Sequence, residues 1–478
     1  MKYFSPLALL VFLFQSLTWS VYASNDAPSV KGWPAGITTM GSIAEGSQNT
    51  FSYQHLLSRS LPGKTEAIFT YALGGGGDTY SLRVHAKPTK SQNLIKLARL
   101  LEAKGDNVSI MPVVVVYTSG ASSSTDAMNT DFGLSTKPEY AKNLQHRLAN
   151  LIIIANYLQS QKDDTHPIPA TLIINPDFLG EIHKIAKGVE WAPFNLKTMK
   201  LKLRTAIVRA YKDANVPVPT DIPAEFTNQA GINAYMDAIG WIIKTQAPDV
   251  PFGWMDNIWA GDPQGHKWIH HPDQLVAHVD AEAKFLEGLH LYDLNNPWRP
   301  DFIAFDKYER DNLGAIPNNL NNGYTYNIPA WNTYFNFIAG VSQKLTNIPV
   351  LLFQLPGGHI QIPSDIDARA DHGSTAPVYL FGDKALEENL TNVKPYITKL
   401  TFANPKVDYN FNASKVVSYL KEGDANWQQG HLDVLKKSNI FGILWGGGST
   451  TSIVGLDAAR DDSGWLYNRV KAYYQSVQ

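Results

Sequence analysis

The chain of 478 residues has no cysteine, so no disulfide can hold it together and its stability has to come from a buried core. It also lacks an excess of either charge. Lys plus Arg number 41 against 43 for Asp plus Glu, and no polybasic run occurs, which argues against nucleic acid or an anionic membrane surface as a partner. Beyond the first residues, no apolar run reaches the ~20 residues of a membrane span without charges or prolines. There is no HExxH motif, and no GxSxG elbow follows a strand, which disfavours a zinc protease helix and a Ser-His-Asp hydrolase. Internal repeats, heptads and Pro/Ser-rich linkers are missing as well, so residues 24–478 read as one domain.

The start of the chain has the layout of a secretory signal peptide. Met1-Lys2 supplies the positive end, Leu7 to Phe14 is apolar, and Val21-Tyr22-Ala23 offers a small-residue cleavage site, so residues 1–23 are expected to be removed. The mature protein is then expected to be exported, to the periplasm or beyond, and monomeric.

Apolar runs set the fold. Strand-like stretches are read at 66–77, 111–120, 170–181, 251–262, 301–311, 348–359 and 439–449. Between them helical periodicity recurs around 94–101, 138–160, 230–247, 274–290 and 331–346, with a closing helix around 463–476. Continuous Val/Ile/Leu/Phe runs are characteristic of strands covered on both faces, and their alternation with helices predicts βα units in one parallel sheet. The expected architecture is a TIM-like (β/α)8 barrel, its eighth strand hidden in 376–420 and the polar insert 360–430 forming loops over the C-terminal face. A doubly wound open sheet is the competing arrangement.

Barrel enzymes keep their chemistry at the C-terminal ends of the strands, and here those ends carry acids. Asp177 follows Ile-Ile-Asn-Pro and reads either as a poorly solvated general acid or as a helix N-cap. Asp256, flanked by Trp254 and Trp259, reads as a sugar-binding carboxylate or as a barrel-interior acid bonded to the next strand. Asp306 and Glu309 lie in a charged run directly after a buried strand, in a site or in local ion pairs. Trp254, Trp259 and Trp445 are candidate sugar platforms among 12 Trp and 22 Tyr, most of which a large aromatic core would absorb. His359, after Pro-Gly-Gly, is a candidate substrate contact. His266, His270, His271 and His278 have spacings compatible with a metal site, but Pro272 interrupts any helix there, and neither a metal nor a cofactor is expected.

The order VVVVY (113–117), INPDFL (174–179), GWMDNIW (253–259) and QLPGGH (354–359) resembles the cellulases of glycoside hydrolase family six. The resemblance implies a modified parallel barrel and inverting hydrolysis of a β-1,4-glucan. It assigns Asp177 to the general acid, Asp256 to sugar binding, and Asp126 or Asp131 to an auxiliary acid. The sequence departs from the pattern where Asn175 replaces Glu, and where His359 and Gln361 stand at acidic positions, leaving Asp365 and Asp367 as the nearest carboxylates.

The resulting expectation is an exported glycoside hydrolase acting on a polysaccharide, with Asp177 as acid and Glu309 or Asp306 as second carboxylate. The alternatives are a non-catalytic carbohydrate-binding or surface-interaction protein on the same barrel, and a metal-dependent hydrolase using the 266–278 histidines.

Overall fold

A computed structural model describes residues 29–44, 66–72, 87–104, 109–119, 130–134, 136–186, 199–260, 262, 265–307, 325–360, 362, 374–399, 413–423, 425–446 and 464–477. The signal segment 1–23 lies outside these. In chain order the elements are β1 (Thr39–Ile43), β2 (Glu66–Tyr71), α1 (Thr89–Lys104), β3 (Ile110–Val116), α2 (Asn143–Gln159), β4 (Thr171–Ile174), α3 (Phe178–Ala186) and α4 (Leu203–Asp213). There follow α5 (Ile232–Gln246), β5 (Phe252–Asp256), α6 (Leu275–Gly288), β6 (Phe302–Asp306), α7 (Ile328–Lys344) and β7 (Val350–Leu355). The chain ends with α8 (Ala376–Phe381), α9 (Lys394–Lys399), α10 (Ala413–Leu420), α11 (Asp433–Lys437), β8 (Ile440–Trp445) and α12 (Trp465–Ser476).

The eight strands are all parallel and close into a barrel in sequence order, with β8 returning to pair with β1. An open doubly wound sheet is thereby excluded. The eighth strand is not in 376–420, where the described residues include the short helices α8, α9 and α10; it is β1, which lies outside every strand-like stretch read from the sequence.

Each strand is buried on both faces, and alternation divides its side chains between two cores. On β5, Met255 points into the lumen, while Phe252 and Trp254 join the layer between barrel and helices. On β6, Phe302 and Ala304 point inward and Ile303 and Phe305 outward, so Asp306 continues the inward set. Its register partner Phe353 on β7 is likewise a lumen residue.

The last helix locks the first strand. Met40 N–H donates to the Tyr474 hydroxyl at 2.8 Å, and Thr38 N–H donates to the Tyr473 hydroxyl at 3.0 Å. Tyr474 is fully buried, so removing its oxygen leaves an enclosed backbone N–H without an acceptor. Tyr474→Phe is expected to lower stability by about 1–3 kcal/mol, read from denaturant midpoints at an unchanged m-value.

Candidate active site

β4 ends in Asn175-Pro176-Asp177, and this turn shapes the site. Asn175 and Asp177 both adopt the left-handed region, at φ 49° and 70°, a conformation that Asn and Asp tolerate better than most residues. Asn175 is held there from two directions. Its Oδ1 accepts the N–H groups of Thr118 at 2.5 Å and Ser119 at 3.2 Å, and its Nδ2 donates to the Thr118 hydroxyl at 2.8 Å. The carbonyl of Asp177 accepts the N–H of Glu181 and so starts α3. Its carboxylate, however, does not cap that helix.

Asp177 Oδ1 instead accepts from Asn257 Nδ2 at 3.2 Å, and the same nitrogen donates to Asp306 Oδ1 at 3.3 Å. Three adjacent strands thus deliver Asp177, Asn257 and Asp306 to one point at the C-terminal mouth of the barrel. Asn257 is fully buried, Asp306 is 6% exposed, and Asp177 keeps part of its surface in solvent. Asp306 is further anchored through its backbone carbonyl, which accepts from the Tyr334 hydroxyl at 3.1 Å.

The two carboxyls differ electrically. Burial first, and then the neighbouring Asp177 charge, hold Asp306 well above the ordinary carboxylate range. Asp177 is also raised by burial, but the Asn257 amide and the Lys184 ammonium pull it back, and it stands at the positive end of α3. Of the two, Asp306 is therefore held further towards its protonated form.

Trp259 borders the pair. Its ring is partly exposed, with Lys184 Nζ 4.1 Å from the centroid. Gly180 in α3 makes room for it, because a Cβ there would lie 2.8 Å from Trp259 Cη2 and 2.9 Å from Asn257 Oδ1.

Other sequence candidates are placed elsewhere. Asp256 is fully buried, and its charge is felt with those of Glu282 and His183, behind the barrel wall. The alternation that turns Met255 inward turns Asp256 outward, so the residue facing the mouth is its neighbour Asn257, which sequence reasoning passed over. Trp254 and Trp445 are corrected in the same way. Both are fully buried in the barrel–helix layer, tilted against Phe178 and Phe381, and neither offers a ring face to a sugar. His359 is 4% exposed and stacks on Trp465 of α12 at 5.0 Å. Asp131 is buried in an ion pair with Arg147 at 2.5 Å. His270 bonds the Tyr419 hydroxyl and His278 stacks on Trp268, and among the described residues no three His or acidic side chains form a metal-holding group. Glu309, Asp126, Gln361, Asp365 and Asp367 lie outside the described residues.

No family model and no curated protein matches the chain. Among solved structures, the catalytic core of a xylanase A is 9% identical with a TM-score of 0.38, covering 94% of this chain and 99% of that one. A thermostable mutant of a xylanase (Xyn10A) from Cellvibrio japonicus is 9% identical at 0.35, covering 90% and 88%. The carboxyl transferase domain of Rhizobium etli pyruvate carboxylase is 7% identical at 0.30, covering 92% and 47%. The first two are named as xylanases and the third as a carboxyl transferase.

Gly180→Ala tests the packing around that site. The added methyl has to displace the Trp259 ring or the Asn257 amide, so a loss of about 1–3 kcal/mol in thermal unfolding is expected, with a change in tryptophan emission.

Proposed function

We propose that this protein is an exported glycoside hydrolase that cleaves a β-glucan-like polysaccharide, with Asp177 and Asp306 as its paired carboxylates. The observation that carries this reading is the convergence of both carboxyls on the single nitrogen Asn257 Nδ2. Their bonded oxygens can be no farther apart than the sum of those two distances, roughly 6.5 Å. Retaining glycosidases hold their carboxyls about 5–5.5 Å apart and inverting ones about 6.5–9.5 Å, so the spacing favours retention over the inversion that the family-six resemblance implies.

Protonated Asp306 gives its proton to the glycosidic oxygen as the bond from that oxygen to C1 breaks. The Asp177 carboxylate attacks C1 from the opposite face and forms a glycosyl ester. Asp306, now ionised, takes a proton from water as the water oxygen attacks C1. Cleavage of the ester frees Asp177 and restores the proton to Asp306. Asn257 stabilises negative charge on whichever carboxyl carries it, and Trp259 offers an apolar face to the sugar ring. This assignment moves the acid from Asp177 to Asp306, because Asp306 is the more deeply enclosed. Glu309 stays a proposal as a further carboxylate of the same charged segment.

A second reading, sugar binding without cleavage, draws support from that same enclosure of Asp306, which is 6% exposed. The two readings separate on a panel of soluble glucans, xylans and peptidoglycan. The hydrolase reading expects new reducing ends that fall at least 100-fold in Asp177→Asn and about 100- to 10,000-fold in Asp306→Asn. Unchanged turnover in either variant removes that residue from the mechanism, and binding with no reducing ends from the wild type favours the second reading.

The pH dependence follows from the two carboxyls. Asp177 works ionised, so kcat rises as pH climbs through its raised pKa. Asp306 works protonated, so kcat falls as pH climbs through its own higher value. A bell with both limbs above the ordinary carboxylate value of about 4 is expected, and the anomer first released, read by proton NMR, is expected to retain the substrate configuration.

A further inference from the structure

We infer that Asp256, Glu282 and His183 form a proton-sharing clamp behind the barrel wall that positions Asn257, and through it the spacing of the two site carboxyls. The site whose spacing it sets is the one read above as a hydrolase centre.

The three residues are 0%, 3% and 2% exposed. Glu282 Oε2 lies 2.9 Å from His183 Nδ1, and the His183 ring is stacked on Phe285 at 4.2 Å, which fixes its plane. Asp256 Oδ1 accepts the backbone N–H of Asn257 at 2.9 Å, while its Oδ2 is enclosed with no donor. After burial, the charge of Glu282 is the largest influence that raises Asp256. A buried carboxyl raised by a second buried acid does not ionise along with it. One proton between them satisfies Asp256 Oδ2 and leaves one negative charge opposite His183. The Asp256 charge also raises Tyr292, which Arg299 lowers, and across the wall it raises Asp306.

The placement gives the cluster its role. His183 sits on α3, the helix that Asp177 begins; Glu282 sits on α6; Asp256 directly precedes Asn257. The clamp therefore ties the element carrying one site carboxyl to the strand end carrying the amide that bridges both. These three are positioning residues that touch no substrate.

Two measurements test the clamp without a substrate. The first is thermal unfolding of wild type, Asp256→Asn and Glu282→Gln between pH 5 and 9. A carboxyl that keeps its proton only in the folded state contributes stability that is lost as pH rises through its folded pKa. Each amide replaces the shared proton with a permanent donor, so the variants' midpoints are expected to gain on the wild type by a few degrees as pH rises. A difference that is equal at every pH overturns the shared proton. The second is the side-chain amide NMR signal of Asn257, identified by its loss in Asn257→Gln. It is expected to move in Asp256→Ala and to return towards its place in Asp256→Asn, and an unmoved signal in Asp256→Ala overturns the positioning. Turnover then separates this inference from the hydrolase reading. On any substrate the wild type cleaves, Asp256→Ala is expected to lower kcat at least tenfold with KM within about threefold, and Asp256→Asn to recover most of that loss. Unchanged kcat in Asp256→Ala overturns the clamp alone, whereas a wild type that cleaves nothing counts against the hydrolase reading and leaves the first two measurements to decide the clamp.

Discussion

One amide nitrogen held between two carboxyls is the constraint around which this protein is organised. Asn257 Nδ2 reaches Asp177 on one side and Asp306 on the other only because β4, β5 and β6 are adjacent and parallel, with their C-terminal ends level. Separated from the barrel, the two acids would be ordinary solvated carboxylates. Inside it, burial raises both, Asp306 further than Asp177.

Maintaining that arrangement costs stability locally. Asn175 and Asp177 take left-handed backbone conformations that cost about 1–3 kcal/mol each, and Asp256 and Asp306 are carried inside where their charged forms are disfavoured. The compensation comes from the surroundings. The Thr118–Asn175 network fixes the turn after β4, Gly180 lets α3 approach Asn257, and the Tyr334 hydroxyl anchors β6. Pairing of β1 with β8 closes the frame, and α12 holds β1 through Tyr473 and Tyr474.

Much of the fold was readable from pattern. Seven strands are long apolar runs, and the helices have clear 3.6-residue periodicity, so their order alone pointed to βα units. β1 escaped because Thr-Met-Gly-Ser-Ile has little apolar character. Its glycine answers a contact that is invisible in sequence, since a Cβ at Gly41 would lie 2.6 Å from the Ala67 carbonyl oxygen of β2. In the site, Asp177 and Asp306 stood out as acids just past buried strands. Asn257 did not, since a neutral amide beside an acid draws less notice than the acid. Counting alternation from the inward Met255 would have picked it and sent Asp256 to the helix side. Trp254 and Trp445 misled for the same reason: an indole near a strand end reads as a platform until the face it occupies is known. Trp259, two residues beyond Asn257 and outside the strand proper, is the one of the three that keeps a partly exposed ring.

The central claim, that Asp177 and Asp306 share one environment in which Asp306 is held further towards its protonated form, is tested most directly by carboxyl 13C NMR titration of Asp306 in wild type and in Asp177→Asn. The account predicts an Asp306 midpoint well above the ordinary value of about 4 that falls when the Asp177 charge is removed. An Asp306 that titrates near 4 and is unaffected by Asp177→Asn would contradict it.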